Sequence, residues 1–201
     1  MNPTEAAVVF ASAELEAREL QAAQVPLLQA LFDANPAYFQ TINSRPAQAD
    51  EAQREFDENP PEHLGWTRRW FLGLFDRRDG SLAGVCIVVS DLCAPRVWHV
   101  ALFLLATRLH GQGLAQRAYD ALEAWVRGQG AQWLRLGVVL ANVRARRFWQ
   151  RQGFQDLRLR RGYDTGGRLN DLFTCCKPLA GGSIAQYLAL VPRDAPGSTL
   201  P

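Results

Sequence analysis

His110-Gly111-Gln112-Gly113-Leu114-Ala115 links an apolar run, Val97 to Ala106, to an amphipathic segment that begins at Leu114. A glycine-rich turn feeding a helix leaves several backbone N–H groups unpaired beside the positive end of the helix dipole. Glycine also lets the main chain approach a phosphate with no Cβ in the way. Such a turn suits a pyrophosphate. Two glycines at this spacing are also found in ordinary strand-to-helix connections, so the turn alone does not decide between the two.

Reading outward from the turn, Val97 to Ala106 is apolar at almost every position, as in a strand covered on both faces. Before it, Trp70 to Phe75 and Ser81 to Ser90 read as strands joined through Asp79-Gly80, a hairpin signal. After it, Leu114 to Arg127 carries Leu114, Ala118, Leu122, Ala124 and Trp125 mostly on one helical face, and Gly128 and Gly130 stop it. Leu134 to Leu140 is a further buried strand. Asn142 caps a helix running to Arg151, and Gly153 ends it. Phe154 to Gly162 and Arg168 to Pro178 form a second hairpin around Asp164-Thr165-Gly166-Gly167.

The N-terminal third is less regular. The first twelve residues read as an arm or an edge strand, and Ala13 to Leu20 as a short strand. Val25 to Ala34 is a helix with Pro26 in its first turn, ended by Asn35-Pro36. Thr41 to Gly65 is polar, is expected to be the most mobile segment, and holds an acidic middle, Asp50 to Asn59, that suits a short exposed helix. The expected fold is mixed α/β in one domain: a central, mostly antiparallel mixed sheet of six to seven strands flanked by four helices. That domain spans residues 1–180, with a flexible tail over 181–201 in which Ile184 to Val191 has the apolar content to dock.

Composition narrows the function. The 201 residues suffice for one substantial core, and a net charge of +2 is too small to imply a nucleic-acid partner. Lys177 is the only lysine among the 22 basic residues, so arginine carries nearly all the positive charge. No basic region followed by a long apolar stretch opens the chain, and no run approaches the roughly 20 apolar residues of a membrane span. The expected location is the cytoplasm, with no membrane partner. The four cysteines lack metal-ligand spacing, so they read as reduced structural thiols, and no metal is expected.

A second block, Asn142-Val143-Arg144-Ala145-Arg146-Arg147-Phe148-Trp149 followed by Gly153-Phe154, lies one helix and one strand beyond the glycine turn. In this order and spacing the two blocks resemble the GNAT acetyltransferase family: its Gln/Arg-x-x-Gly-x-Gly/Ala loop, then its Asn-x-x-Ala-x-x-aromatic helix ending in Gly-Phe. The resemblance covers residues 66–178 well. It implies an N-acetyltransferase that takes acetyl-CoA as co-substrate and acetylates a primary amine, here expected to be a small molecule, by direct attack on the thioester. It further implies that Phe103, Leu104 and Leu105 line the pantetheine arm. The amides around His110, Gly111, Gln112, Gly113, Leu114 and Ala115 would hold the pyrophosphate. Asn142 would face the pantetheine side, whether or not it also caps its helix, and Phe148 and Trp149 would pack near the sulfur. A homodimer is compatible with the sequence.

Two positions depart from the family pattern. His110 stands where the loop usually begins with Gln or Arg, with Arg108 nearby as a substitute charge. Trp149 stands where many members carry a tyrosine that protonates the leaving thiolate, and an indole N–H does not serve as such an acid. The candidate general base is His99, on the strand leading to the turn, although a histidine satisfied within the sheet fits the same position. Asp91 and Tyr163 are weaker candidates. The arginines between Arg144 and Arg161 form either a solvated face or a site for the 3′-phosphate of CoA or an acidic acceptor. The alternative function is an acyl-CoA-binding sensor or structural module without turnover, which the missing tyrosine keeps open.

Overall fold

The computed structural model describes residues 6–165 and 168–200. The Asp79-Gly80 signal is realised as a tight turn: the Asp76 carboxylate accepts from the Arg78 amide at 2.9 Å, and Gly80 takes the left-handed φ of 71°. This turn joins β3 (Arg68–Asp76) to β4 (Leu82–Ser90), which pairs in turn with β5 (Val97–Leu105). β1 (Val8–Ala11) and β2 (Leu15–Glu19) extend that edge. β6 (Trp133–Val139), β7 (Gln155–Asp164) and β8 (Leu169–Pro178) complete an eight-stranded sheet in the order β1-β2-β3-β4-β5-β6-β8-β7.

Strand alternation assigns the two faces. On one face, α4 (Leu114–Gly128) packs Trp125 edge-on against Trp98 and Trp70 at centroid distances of 5.4 and 5.3 Å. The same face receives α5 (Val143–Arg151), whose Phe148 and Trp149 meet Phe103 of β5. On the opposite face, α3 (Glu51–Asp57) sets Phe56 against Phe71, and α1 (Val25–Asp33) packs on α3 and β4. α2 (Pro36–Asn43) joins α1 through Phe39 against Phe32 at 5.0 Å. α6 (Ile184–Leu190) covers Val97, Trp133 and Cys176 on this opposite face.

Six helices among the described residues replace the expected four, and eight strands the expected six to seven. The extra strand is β1, at the position read as an arm or an edge. α2 escaped the sequence reading because Asn35-Pro36 looks like a stop. Pro36 instead starts a new helix, where its missing N–H costs nothing. The tail expected to be flexible from 181 does not describe residues 184–194. There Ser183 and Gln186 form a capping box, the Trp133 indole donates to the Ser183 carbonyl at 2.9 Å, and Tyr187, Val191 and Asp194 are buried. The turn expected at 164–167 lies partly outside the described residues, as do the first five residues of the N-terminal arm.

The central seam has one decisive irregularity. β5 and β6 are the one parallel pair among the described residues, in register from Val97↔Trp133 to Val100↔Leu136, and there the pairing stops although both strands continue. Against β4 the register of β5 moves from Val88↔Val100 to Ile87↔Leu102, so Ala101 is a bulge. A bulge bends its strand. β6 stays paired with β8 as far as Val139↔Leu172, so the two strands diverge and leave a wedge-shaped gap between them.

Candidate functional site

The gap opens into a cleft of about 800 Å³. Ala101 and Gly137, on its two sides, are exposed within otherwise buried strands, which leaves main-chain groups there without a ladder partner. Phe103, Leu104, Leu105, His110, Gly111, Gly113, Leu114, Ala115, Asn142, Phe148, His99 and Trp149 all line the cleft. Gln112 does not: its amide side chain donates back to the Arg108 carbonyl at 3.2 Å. Arg108 and Asp91 are likewise absent from the walls, and Asp91 holds the Arg96 amide at 2.7 Å within its own turn.

At one end of the cleft the glycine turn presents main-chain donors. Gly111 and Gly113 have φ values of 80° and 72°, conformations that side-chain-bearing residues rarely adopt. Gly113 is the N-cap of α4 and no side chain caps that helix. Among the described residues no group accepts from the amides of Gly111, Gln112 or Gly113. The loop is held from behind by Asn35, buried between α1 and α2. Its carboxamide donates to the Leu31 carbonyl and accepts from both the amide and hydroxyl of Thr107 at 2.8 and 2.7 Å. His110 donates from Nε2 to the Leu105 carbonyl at 2.9 Å, and burial holds its pKa below the ordinary value. Asn142 caps α5, accepting from the Ala145 amide at 3.1 Å, and also faces the cleft.

Trp149 is the hub of an aromatic cluster, with ring centroids 4.9 to 5.7 Å from Phe148, Phe154, Tyr119 and Phe103. Tyr119, on α4 beneath it, spends its hydroxyl on Glu123 and is not part of the cleft wall. Phe148 and Trp149 therefore build the apolar floor.

The opposite wall is polar. His99 and Arg135 are register partners across the paired part of the seam. Arg135 Nη1 donates to His99 Nδ1 at 3.2 Å, because a guanidinium has only donors. The ring proton of neutral His99 therefore sits on Nε2. Burial, reinforced by the Arg135 charge and partly opposed by Asp194, pushes the His99 pKa down to about 3. The expected base is thus a poor proton acceptor at neutral pH and a competent donor. Arg135 is fixed by a bidentate pair with Asp194 at 2.7 and 3.2 Å, and Tyr187 donates to the same carboxylate. Burial disfavours both charges, but the pairing outweighs it, raising the Arg135 pKa and lowering that of Asp194.

The sequence reading missed Arg135, Tyr38 and Thr174, all on the walls. Tyr38 lies on the unforeseen α2, where burial and then Glu55 and Glu51 raise its phenol pKa. Burial and the neighbouring Glu58 in turn lift Glu55 to about 7. No local pattern announces these residues, since each depends on chain folded back from elsewhere. Among the described residues no cluster of metal-ligating side chains occurs and no helix is long and apolar enough to cross a membrane. The four cysteines are free thiols, as expected.

Comparison with known proteins agrees with this architecture. The model of the acetyltransferase (GNAT) family matches residues 28–154. No curated protein matches the chain. Among solved structures, an acetyltransferase from Thermus thermophilus is similar at a TM-score of 0.65 and 23% identity, over 84% of this chain and 99% of that one. The ribosomal-protein-S18-alanine N-acetyltransferase of Escherichia coli gives 0.60 and 18%, over 85% and 97% of the two chains. The spermidine N-acetyltransferase of Vibrio cholerae, in complex with CoA and spermine, gives 0.62 and 15%, over 83% and 96%. At these identities the likeness to solved structures speaks for the fold.

Proposed function

Since the chain belongs to the acetyltransferase (GNAT) family, we propose that its cleft binds acetyl-CoA and that a primary amine of a small molecule takes the acetyl group. The observation that carries this reading is the pairing of a diverging strand seam with free amides at the glycine turn. An extended amide-bearing arm fits the unpaired edge of β5, and a pyrophosphate fits the amides of Gly111, Gln112 and Gly113 at the N-terminus of α4. The residues present fit acetyl-CoA, which would supply an acetyl group already activated as a thioester.

The reaction forms an N–C bond and breaks a C–S bond; the amine loses a proton and the thiolate gains one. His99 serves as a donor from Nε2 toward the reacting groups rather than as their base. With tryptophan at position 149, the thiolate leaves without a phenol acid, which the modest pKa of a thiol permits. The neighbours' acceptors, a polyamine and a protein alanine by their names, do not select one for this chain.

Calorimetric titration with acetyl-CoA and CoA tests the reading. Micromolar binding is expected, weakened about 10- to 100-fold in Gly113→Val, because a β-branched residue at φ 72° stores about 1–3 kcal/mol of strain and pulls the amides out of line. Absence of binding to either ligand would sink the reading. Tight binding without amine-dependent CoA release would support a sensing module instead.

A further inference from the structure

The wall opposite α4 and α5 carries more positive charge than the structure neutralises. By strand register, Arg135, Thr174 and Arg160 fall on one face of the sheet, the face covered by α6. Arg160 is half-buried and lines the cleft, yet among the described residues it makes no ion pair and no hydrogen bond, only a cation–π contact 5.7 Å from the Tyr163 ring. Burial and the charges of Arg193, Arg158 and Arg135 together hold its pKa below the ordinary arginine value, opposed by Asp194 alone. Asp194 is already committed to Arg135 and Tyr187. No Asp or Glu lines the cleft among the described residues.

Thr174 supplies an independent sign. Its residue is 1% exposed, it lines the cleft, and its hydroxyl has no hydrogen-bond partner. Orphaned buried hydroxyls are uncommon and point to a group that arrives with a ligand. Arg135 spends three N–H groups on Asp194 and His99, and a guanidinium has five, so donors remain for a further acceptor. One guanidinium with no ion pair among the described residues, a second with donors to spare, and an orphan hydroxyl, with no acid on the cleft wall, match one chemistry: a planar anion that accepts several hydrogen bonds.

We propose that Arg160, Arg135 and Thr174 form a carboxylate subsite on the α6 face of the cleft, so that the acceptor is an amine that also carries a carboxylate. This rests on the acetyl-transfer reading above and deepens it. Arg144 and Arg151 belong to α5 on the other face, where they suit the phosphates of the co-substrate. The same charge pattern disfavours polyamines, which would bring further cations to an already positive wall.

The test compares ω-amino acids of increasing length with their matched ω-amino carboxamides, and with spermidine, read as kcat/KM for CoA release from acetyl-CoA. At the best length the acid is expected to exceed its amide about tenfold or more, and Arg160→Gln is expected to bring that ratio close to one. Thr174→Val removes an unbonded hydroxyl, so it is expected to lower the ratio without lowering the melting temperature. Equal use of acid and amide, or preference for spermidine, overturns the proposal. So does an acid preference that survives Arg160→Gln while acetyl-CoA affinity falls, which would assign Arg160 to the co-substrate's phosphates. If no amine releases CoA, the transfer reading fails by itself. The subsite is then read by calorimetric titration of the N-acetylated ω-amino acids into the CoA complex. Binding lost in Arg160→Gln upholds the subsite, and no difference between the two proteins overturns it.

Discussion

The two walls of the cleft are built on opposite principles. The α4–α5 wall works through its main chain: glycine amides, a helix terminus and an apolar aromatic floor. The α6 wall works through side chains: Arg135, His99 and Thr174 from three strands, with Asp194 and Tyr187 of the C-terminal segment holding Arg135 from behind. A main-chain site needs only a local conformation, so a short motif specifies it. A side-chain network needs tertiary neighbours, and its charges are tolerated in the interior only while every partner is in place.

The sharpest way to break this contrast is to remove one acid from behind each wall. Asp194→Ala leaves Arg135 buried and unpaired and is expected to cost about 3–5 kcal/mol in denaturant unfolding. Asp156→Ala unpairs the partly exposed Arg146 and is expected to cost about 1 kcal/mol or less. Equal costs would show that the α6 wall is not a distinct network.

The anchor behind the glycine turn comes next. Asn35→Ala removes the acceptor of Thr107 and is expected to lower stability by about 1–3 kcal/mol while raising the KM for acetyl-CoA. An unchanged KM would mean that the loop holds its shape unaided.

Protonation separates the walls further. Folded His99 refuses a proton down to about pH 3, whereas the unfolded chain accepts one near 6.5. Stability should therefore decline as pH falls below 6.5, because the unfolded state binds more protons. His99→Gln is expected to reduce the loss between pH 6.5 and 5 by about 1–2 kcal/mol, measured by denaturation at each pH. An acid limb unchanged by the substitution would refute the neutral, buried assignment.

The smallest effect belongs to the position where a phenol was expected. Trp149→Tyr, in a residue packed by four aromatic rings, is expected to change kcat by less than about threefold. A rate increase of about tenfold would show that the missing acid does limit the reaction.

Legibility followed the same division. β3 to β6, α4 and α5 were readable because hydrophobic period, Asp79-Gly80 and the Asn142 cap act within a few residues of themselves. α2 was hidden by Asn35-Pro36, where one dipeptide both ends a helix and begins the next. The apolar content of Ile184 to Val191 allowed docking, but not its place, because Tyr187 and Asp194 look unremarkable until Trp133 and Arg135 are beside them. His99 lines the cleft, but its tautomer follows from Arg135 and its depressed pKa from burial and then from Arg135, surroundings no spacing rule supplies.

From sequence alone came the family resemblance, the alternation of strand and helix, and the glycine turn that feeds a helix between His110 and Ala115, since each rests on short motifs and local conformational preference. Tertiary structure alone decided that the seam parts after Val100, that His99 accepts from Arg135 and so carries its proton on Nε2, and that Arg160 lines the cleft with no ion pair among the described residues. Those outcomes depend on which charges and backbones meet across long stretches of chain, and electrostatic balance in a buried site is a property of the whole set of neighbours.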